Sequence, residues 1–234
     1  MSSRPSRILA AAALTLVTGL ATQTSASRKV ILFFGDSLTA GYQVGRAASF
    51  PSVVQARIDS LGLHYEVANA GLSGETSAAG LRRIDWVLQR PIDVFVLELG
   101  GNDGLRGVAL ESTEENLRQI LTRVRVRYPK AALVVAGVRL PPNLGLEYTE
   151  QFRGIFPKLA AEFDAVLISR LLDRVGGDLD LTPDGIHPTV EGHRLVANTV
   201  WDYLGPLLKR LETGAPGSAD EAASEPTSTG SDSR

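Results

Sequence analysis

Five short aliphatic runs, separated by amphipathic stretches, constrain this chain more than any other feature. They are VILFF at 30–34, YEVAN at 65–69, DVFVLEL at 93–99, ALVVAGV at 132–138 and AVLIS at 165–169. Each is strand-length and too continuously apolar for a sheet with one wet face, so each reads as a strand buried on both sides. The stretches between them carry helical spacing. In ESTEENLRQILTRVRVRY, Ser112 and Glu115 have capping-box spacing, and Leu117, Ile120, Leu121 and Val124 form one apolar stripe. In TVEGHRLVANTVWDYLGPLLKRL, the positions Val196, Val200, Tyr203, Leu204 and Leu207 group in the same way. Strand alternating with helix predicts an α/β fold in which a five-stranded parallel sheet lies between two helical layers, an α/β/α sandwich. There is no internal repeat. Ligands of such sheets bind at the carboxyl ends of the strands, so the loops that follow strands are where chemistry is sought.

The chain of 234 residues is 44% hydrophobic, enough for one globular unit, which the pattern places at 28–211. A formal net charge of −2 provides no global basic field, so neither nucleic acid nor an anionic membrane is an expected partner, and a small neutral or weakly charged substrate fits better. With no cysteine there is no disulfide, thiolate metal site or cysteine nucleophile. Arg4 and Arg7 precede an uncharged run from Ile8 to about Ala26, with small residues that offer cleavage after Ala21 or Ala26. Residues 1–26 therefore read as a secretory signal peptide, with a periplasmic or secreted protein that keeps no stable membrane insertion after processing. Residues 213–234 are Ser, Ala, Gly, Pro and acid, the composition of a disordered tail.

Three strand-end loops and one later segment have unusual composition: GDSLTAGY, NAGLSGETS, LGGNDGLRG and TPDGIHPTVEG. Singly each is turn chemistry. Together they supply what ester hydrolysis needs: a nucleophile, a base, a group that orients the base, and donors for an oxyanion. Ser37, framed by Gly35 and Gly41, is the candidate nucleophile. His187 is the candidate base, and Asp184, three residues earlier, is its candidate orienter. The Ser37 N–H, the Gly71 N–H and the Asn102 amide are the candidate oxyanion donors. Ser73 and Ser77 lack the glycine frame and read as caps of the next helix. His64 and His193 read as exposed or packed, and Asp103 as a loop brace. No metal-binding spacing is present, GGNDGLRG lacks the pattern of a phosphate-binding loop, and no cofactor is expected.

On these blocks, Ser37 in FGDSLTAGY, Gly71 in NAGLSGETS, Asn102 in LELGGNDGLRG and Asp184 with His187 in DGIHP, the chain resembles the SGNH (GDSL) hydrolase superfamily. The resemblance spans about Val30 to Leu208 and is strongest to the bacterial arylesterase, acyl-thioesterase and lysophospholipase branch, on LELGGNDGLRG and RLPPNLG. It implies a flavodoxin-like, metal-free, monomeric serine hydrolase of carboxylic esters and thioesters. Leu144, Leu146 and Tyr148, in the apolar segment after the fourth run, are candidate substrate contacts. Two other functions use the same letters: a carbohydrate O-deacetylase or acyltransferase, and a non-catalytic binding module.

Overall fold

A computed structural model of the protein describes residues 27–214. The signal-peptide reading of 1–26 lies outside them, as does the tail reading from 215 onward. In chain order the elements are β1 (Lys29–Gly35), α1 (Ser37–Ala40), α2 (Phe50–Ser60), β2 (Tyr65–Asn69), α3 (Ser77–Val87), β3 (Val94–Glu98), α4 (Gly101–Leu105), α5 (Leu110–Arg127), β4 (Ala132–Ala136), α6 (Leu146–Glu162), β5 (Val166–Ile168) and α7 (Val190–Thr213). All five aliphatic runs are strands, and every pairing between them is parallel, in the order β2-β1-β3-β4-β5.

The sheet is covered on both faces, with α2 packed against α7, α3 against α5, and α5 in turn against α6. Central strands are the most deeply buried: every residue of β3 and all of β1 after Lys29. Ile31, Phe33, Phe34, Val94 and Phe95 are each 0% exposed. Burying a side chain of this size contributes about 1.5–3 kcal/mol. The ends of β1 and β3 are therefore held by their whole length, and so are the loops that leave them.

Four local expectations are corrected. Helix α5 begins at Leu110 behind Ala109 with no side-chain cap, so Ser112 and Glu115 lie inside its first turns and form no capping box; Glu115 pairs with Arg118 instead. Tyr203 of α7 is partly exposed while Val196, Val200, Leu204 and Leu207 are buried, because the apolar stripe is one residue narrower than its hydropathy suggests. The cap of α3 is Thr76, whose hydroxyl accepts the Ala79 N–H, and not Ser73 or Ser77. Helix α7 also continues through Thr213, past the predicted end of the domain.

His193 joins the layers on one face. It is fully buried on α7, its Nδ1 accepts the Phe50 N–H at the start of α2 at 3.2 Å, and its ring stacks on Phe50 at 6.3 Å. Burial, and secondarily the charge on His187, push its pKa down to about 4. Between pH 6.5 and 4 the unfolded chain takes up a proton that folded His193 refuses, so this residue's stabilisation is present above pH 6.5 and is lost as pH falls toward 4. The loss is about 3 kcal/mol. His193→Asn keeps an acceptor for Phe50 and should flatten the Tm profile between about pH 7 and 4. The buried acids Asp36 and Glu98, raised by burial, act with the opposite sign and cancel in the wild-type-to-variant difference. Parallel profiles for the two proteins would assign the acid sensitivity to other groups.

Candidate active site

The strand order leaves a crevice at one place. From β1 the chain leads to β2 on one side, and from β3 it leads to β4 on the other, so the loops at the carboxyl ends of these adjacent strands diverge. Ser37 follows β1 and Asn102 follows β3, on either side of that divergence. The turn into α1 is very tight: a Cβ on Gly35 would lie 2.2 Å from Thr39 Oγ1 and 2.5 Å from Glu98 Oε2. Only glycine fits there. Asp36 caps α1, its Oδ1 accepting the Leu38 N–H at 3.0 Å.

Ser37, His187 and Asp184 form one continuous chain of contacts. Ser37 Oγ is 3.0 Å from His187 Nε2, and His187 Nδ1 is 2.6 Å from Asp184 Oδ2. The other oxygen of Asp184 accepts the N–H groups of Ile186 at 3.0 Å and His187 at 2.7 Å, so the acid is locked to its own turn. A carboxylate only accepts, so the proton of neutral His187 sits on Nδ1 and the Nε2 lone pair faces the serine hydroxyl. Burial acts to raise the Asp184 pKa, but the backbone N–H and ring of His187, with the Ile186 N–H, outweigh it and hold the acid at about 2. Asp184 therefore stays ionised at any ordinary pH and remains the acceptor that sets the tautomer of neutral His187. The ring of Tyr42 packs on His187 at 4.7 Å, and Gln43 Nε2 reaches Asp184 Oδ2 at 3.4 Å.

The rival serine Ser77 lacks this arrangement. It is fully buried and its hydroxyl donates to Asp103 Oδ1 at 2.6 Å, while its N–H donates to Oδ2 at 2.8 Å. Asp103 is thus a brace between two strand-end loops.

Asn102 is oriented from both ends. Its Nδ2 donates to Asp36 Oδ2 at 3.0 Å, which leaves a second N–H on the same nitrogen, and Arg106 Nη2 lies 3.5 Å from its Oδ1. Beneath it Glu98 Oε2 accepts the Thr39 hydroxyl at 2.7 Å and the Asp36 N–H at 3.3 Å, while Oε1 is buried with no partner among the described residues. Burial, reinforced by the charge of Asp36, pushes Glu98 well above the usual carboxylate range. Glu98 supports the elbow through these two hydrogen bonds, in a site where burial disfavours its charged form.

Gly71 is not placed as the sequence suggested. Its N–H donates to Asn69 Oδ1 at 2.9 Å, an Asx turn at the end of β2, and a Cβ there would lie 2.3 Å from Ala40 N. This glycine serves the close approach of its loop to α1, and its donor is engaged. Gly74, in the same segment, has φ +76° and an N–H without an intramolecular partner among the described residues. Its carbonyl accepts from Arg106 Nη2 at 3.1 Å, the nitrogen that also approaches Asn102. The first glycine after a strand was the natural choice in sequence; the letters NAG were the signal of an Asx turn that uses its own N–H.

A cavity of about 620 Å³ opens beside Ser37, Asn102 and His187. Its apolar wall includes Leu38, Leu105, Val138, Leu140, Leu171 and Ile186. The predicted contacts Leu144, Leu146 and Tyr148 are absent from it. A turn at Pro142–Leu144 carries the chain outward, leaving Leu144 and Leu146 exposed, and the Tyr148 hydroxyl donates to Gly104 O at 3.2 Å and approaches Val108 O at 3.4 Å. The earlier part of the same segment, through Pro142, faces the cavity instead. No group of three or more His, Asp or Glu side chains among the described residues is arranged to hold a metal ion.

Residues 33–195 match the GDSL-like lipase/acylhydrolase family. The thioesterase 1/protease 1/lysophospholipase L1 of Escherichia coli is 38% identical over 191 residues, 81% of this chain and 89% of its own length. Esterase TesA of Pseudomonas aeruginosa is 37% identical over 192 residues, covering 81% and 94%, and an arylesterase of Vibrio mimicus is 34% identical over 187 residues, covering 79% and 92%. A crystal structure of TesA matches with a TM-score of 0.73 at 35% identity, over 76% of this chain and 99% of that one.

Proposed function

This chain belongs to the GDSL-like lipase/acylhydrolase family, and on that footing we propose that it is a serine hydrolase of carboxylic esters and thioesters that works through an acyl-enzyme. As Ser37 Oγ bonds to the acyl carbon, His187 Nε2 takes its proton. The carbonyl electrons move onto oxygen, where the Ser37 N–H, the free N–H of Asn102 Nδ2 and the Gly74 N–H donate; Gly74 takes the place first given to Gly71. Collapse of the tetrahedral intermediate breaks the bond to the leaving alcohol or thiol, which carries away the proton from His187. Water then repeats the sequence on the acyl-enzyme and releases the acid, and Asp184 remains a carboxylate throughout. The observation that carries this reading is the unbroken set of contacts from Asp184 Oδ2 through His187 to Ser37 Oγ, 2.6 and 3.0 Å, at the edge of the cavity.

The apolar wall favours an acyl or aryl group over a sugar, because a carbohydrate ester would leave its hydroxyls without partners there. The test is a rate panel on the purified protein: aryl esters and acyl thioesters of increasing chain length, a lysophospholipid and an acetylated sugar. Aryl or fatty acyl substrates should be turned over fastest. A preference for the sugar ester would keep the catalytic residues and overturn the substrate class, and binding without turnover of any of them would favour the non-catalytic module. The protein is read as a monomer that is exported with loss of its first residues; no helix among the described residues is long and apolar enough to cross a membrane. N-terminal sequencing of the exported protein should start at Thr22 or Ser27, and an intact N-terminus would overturn export by cleavage.

A further inference from the structure

Residues 169–189, between β5 and α7, contain no helix or strand, yet they carry both Asp184 and His187. Apart from Ser37, two side chains make hydrogen-bond or ring contact with that pair from outside the segment. The ring of Tyr42 lies against the imidazole with centroids 4.7 Å apart, and Gln43 Nε2 donates to Asp184 Oδ2 at 3.4 Å. Both belong to the turn that leaves the nucleophile: the N–H groups of Gly41 and Tyr42 donate to Ser37 O at 3.1 and 3.0 Å, and those of Val44 and Gly45 return to Gly41 O at 3.2 and 2.8 Å. Gln43 sits in this closed turn at φ +68°, one of two non-glycine residues with positive φ among the described residues. Gly41 and Gly45, two residues before and after it, adopt the same sign of φ at +76° and +80°. A glycine at 43 would follow the same path without the steric cost of a left-handed side chain, so the strain points to a use for the amide. An exposed contact of 3.4 Å contributes little to stability by itself; set by a closed turn, it is a geometric constraint on Asp184.

We propose that Tyr42 and Gln43 are positioning residues for the catalytic pair, setting Asp184 and His187 against Ser37 from the turn that carries the serine. The proposal rests on the esterase reading above. A carboxylate only accepts, so the Gln43 amide presents its nitrogen; Oδ2 is shared between Gln43 and His187 Nδ1, while Oδ1 is held by the N–H groups of its own turn. Gln43 thus fixes the carboxylate relative to the elbow, and the carboxylate fixes the ring. Tyr42 covers one side of the imidazole, and its hydroxyl has no hydrogen bond among the described residues, so the ring is the part that acts. Once Nε2 has taken the serine proton, an aromatic ring beside the imidazolium also favours the charge. Neither residue lines the cavity, so substrate binding does not depend on them, whereas a small misplacement of the base slows proton transfer.

Steady-state kinetics on a neutral aryl ester, with Tm measured for each variant, test this. Gln43→Gly should lower kcat roughly fivefold and leave KM within about twofold, while Tm holds or rises because glycine relieves the left-handed backbone. Gln43→Asn tolerates that conformation but is one methylene short of Asp184, and it should show the same loss. Tyr42→Ala should lower kcat by about tenfold, and Tyr42→Phe should restore most of it. Because Gln43 acts through Asp184, Gln43→Gly should cost nothing further in an Asp184→Ala background. Wild-type kcat in both Gln43 variants, a loss carried by KM, a loss in step with a fall in Tm, or a loss undiminished in the Asp184→Ala background would overturn the role of Gln43. Tyr42→Phe as slow as Tyr42→Ala would overturn that of the Tyr42 ring. In each of these cases wild-type turnover of the aryl ester keeps the esterase reading; a wild type inactive on every ester overturns both.

Discussion

Ser37→Ala should lower kcat on an aryl ester by roughly 10⁴-fold or more while leaving Tm almost unchanged. The two halves follow from different contacts. The hydroxyl is the only nucleophile in contact with His187 among the described residues, whereas the fold of the elbow depends on groups that the substitution leaves alone: the Asp36 cap on Leu38 and the Thr39–Glu98 hydrogen bond. His187→Ala should cost about as much, since serine without a base is a poor nucleophile. Asp184→Ala should cost less, because the imidazole survives but loses the acceptor that fixes its tautomer. Because Asp184 is held at about 2, its own protonation lies below the acid limb of any measurable pH–rate profile. The stability it contributes is present above the ordinary carboxylate pKa and is lost only as pH falls toward 2.

Asn102→Ala should lower kcat by about 10² to 10³ with little change in KM, the behaviour of a donor that acts only when charge develops on the carbonyl oxygen. The geometry sharpens the expectation. Asp36 can only accept, so the Asn102 amide is bound to present nitrogen toward it, and the second hydrogen on that nitrogen is the one left to donate. Asn102→Asp should therefore be at least as damaging as Asn102→Ala, since it removes both donors and sets a second acid against Asp36. A kcat for Asn102→Ala within a few-fold of wild type, measured on a variant with unchanged Tm, would remove Asn102 from the oxyanion site.

The sheet was legible because parallel strands buried on both faces spell themselves out as near-continuous aliphatic runs; all five lie where those runs are. Ser37, Asp184 and His187 were legible for a chemical reason, since an elbow glycine, a hydroxyl and a short Asp-to-His turn leave few alternatives once they sit at strand ends. What escaped depended on long-range placement. The cavity contacts at Leu140 and Pro142, and the outward turn of Leu144 and Leu146, are set by where the chain bends after β4, which hydropathy does not record. Gly71 and Gly74 are alike in sequence, and only the Asn69 side chain and Arg106 tell them apart. Glu98 reads as an interruption in an apolar strand. Its role under the elbow appears only when β1 and β3 pair Gly35 with Glu98.

The central claim is that Ser37 is the nucleophile, and covalent labelling tests it most directly. The purified protein would be incubated with an activated phosphonate ester, followed by intact-mass and peptide mass spectrometry. The account predicts one adduct per chain, on Ser37, with loss of esterase activity in step with labelling and no adduct on Ser37→Ala. Stoichiometric labelling at Ser73, Ser77 or any other hydroxyl, or an active enzyme that takes no label, would contradict it.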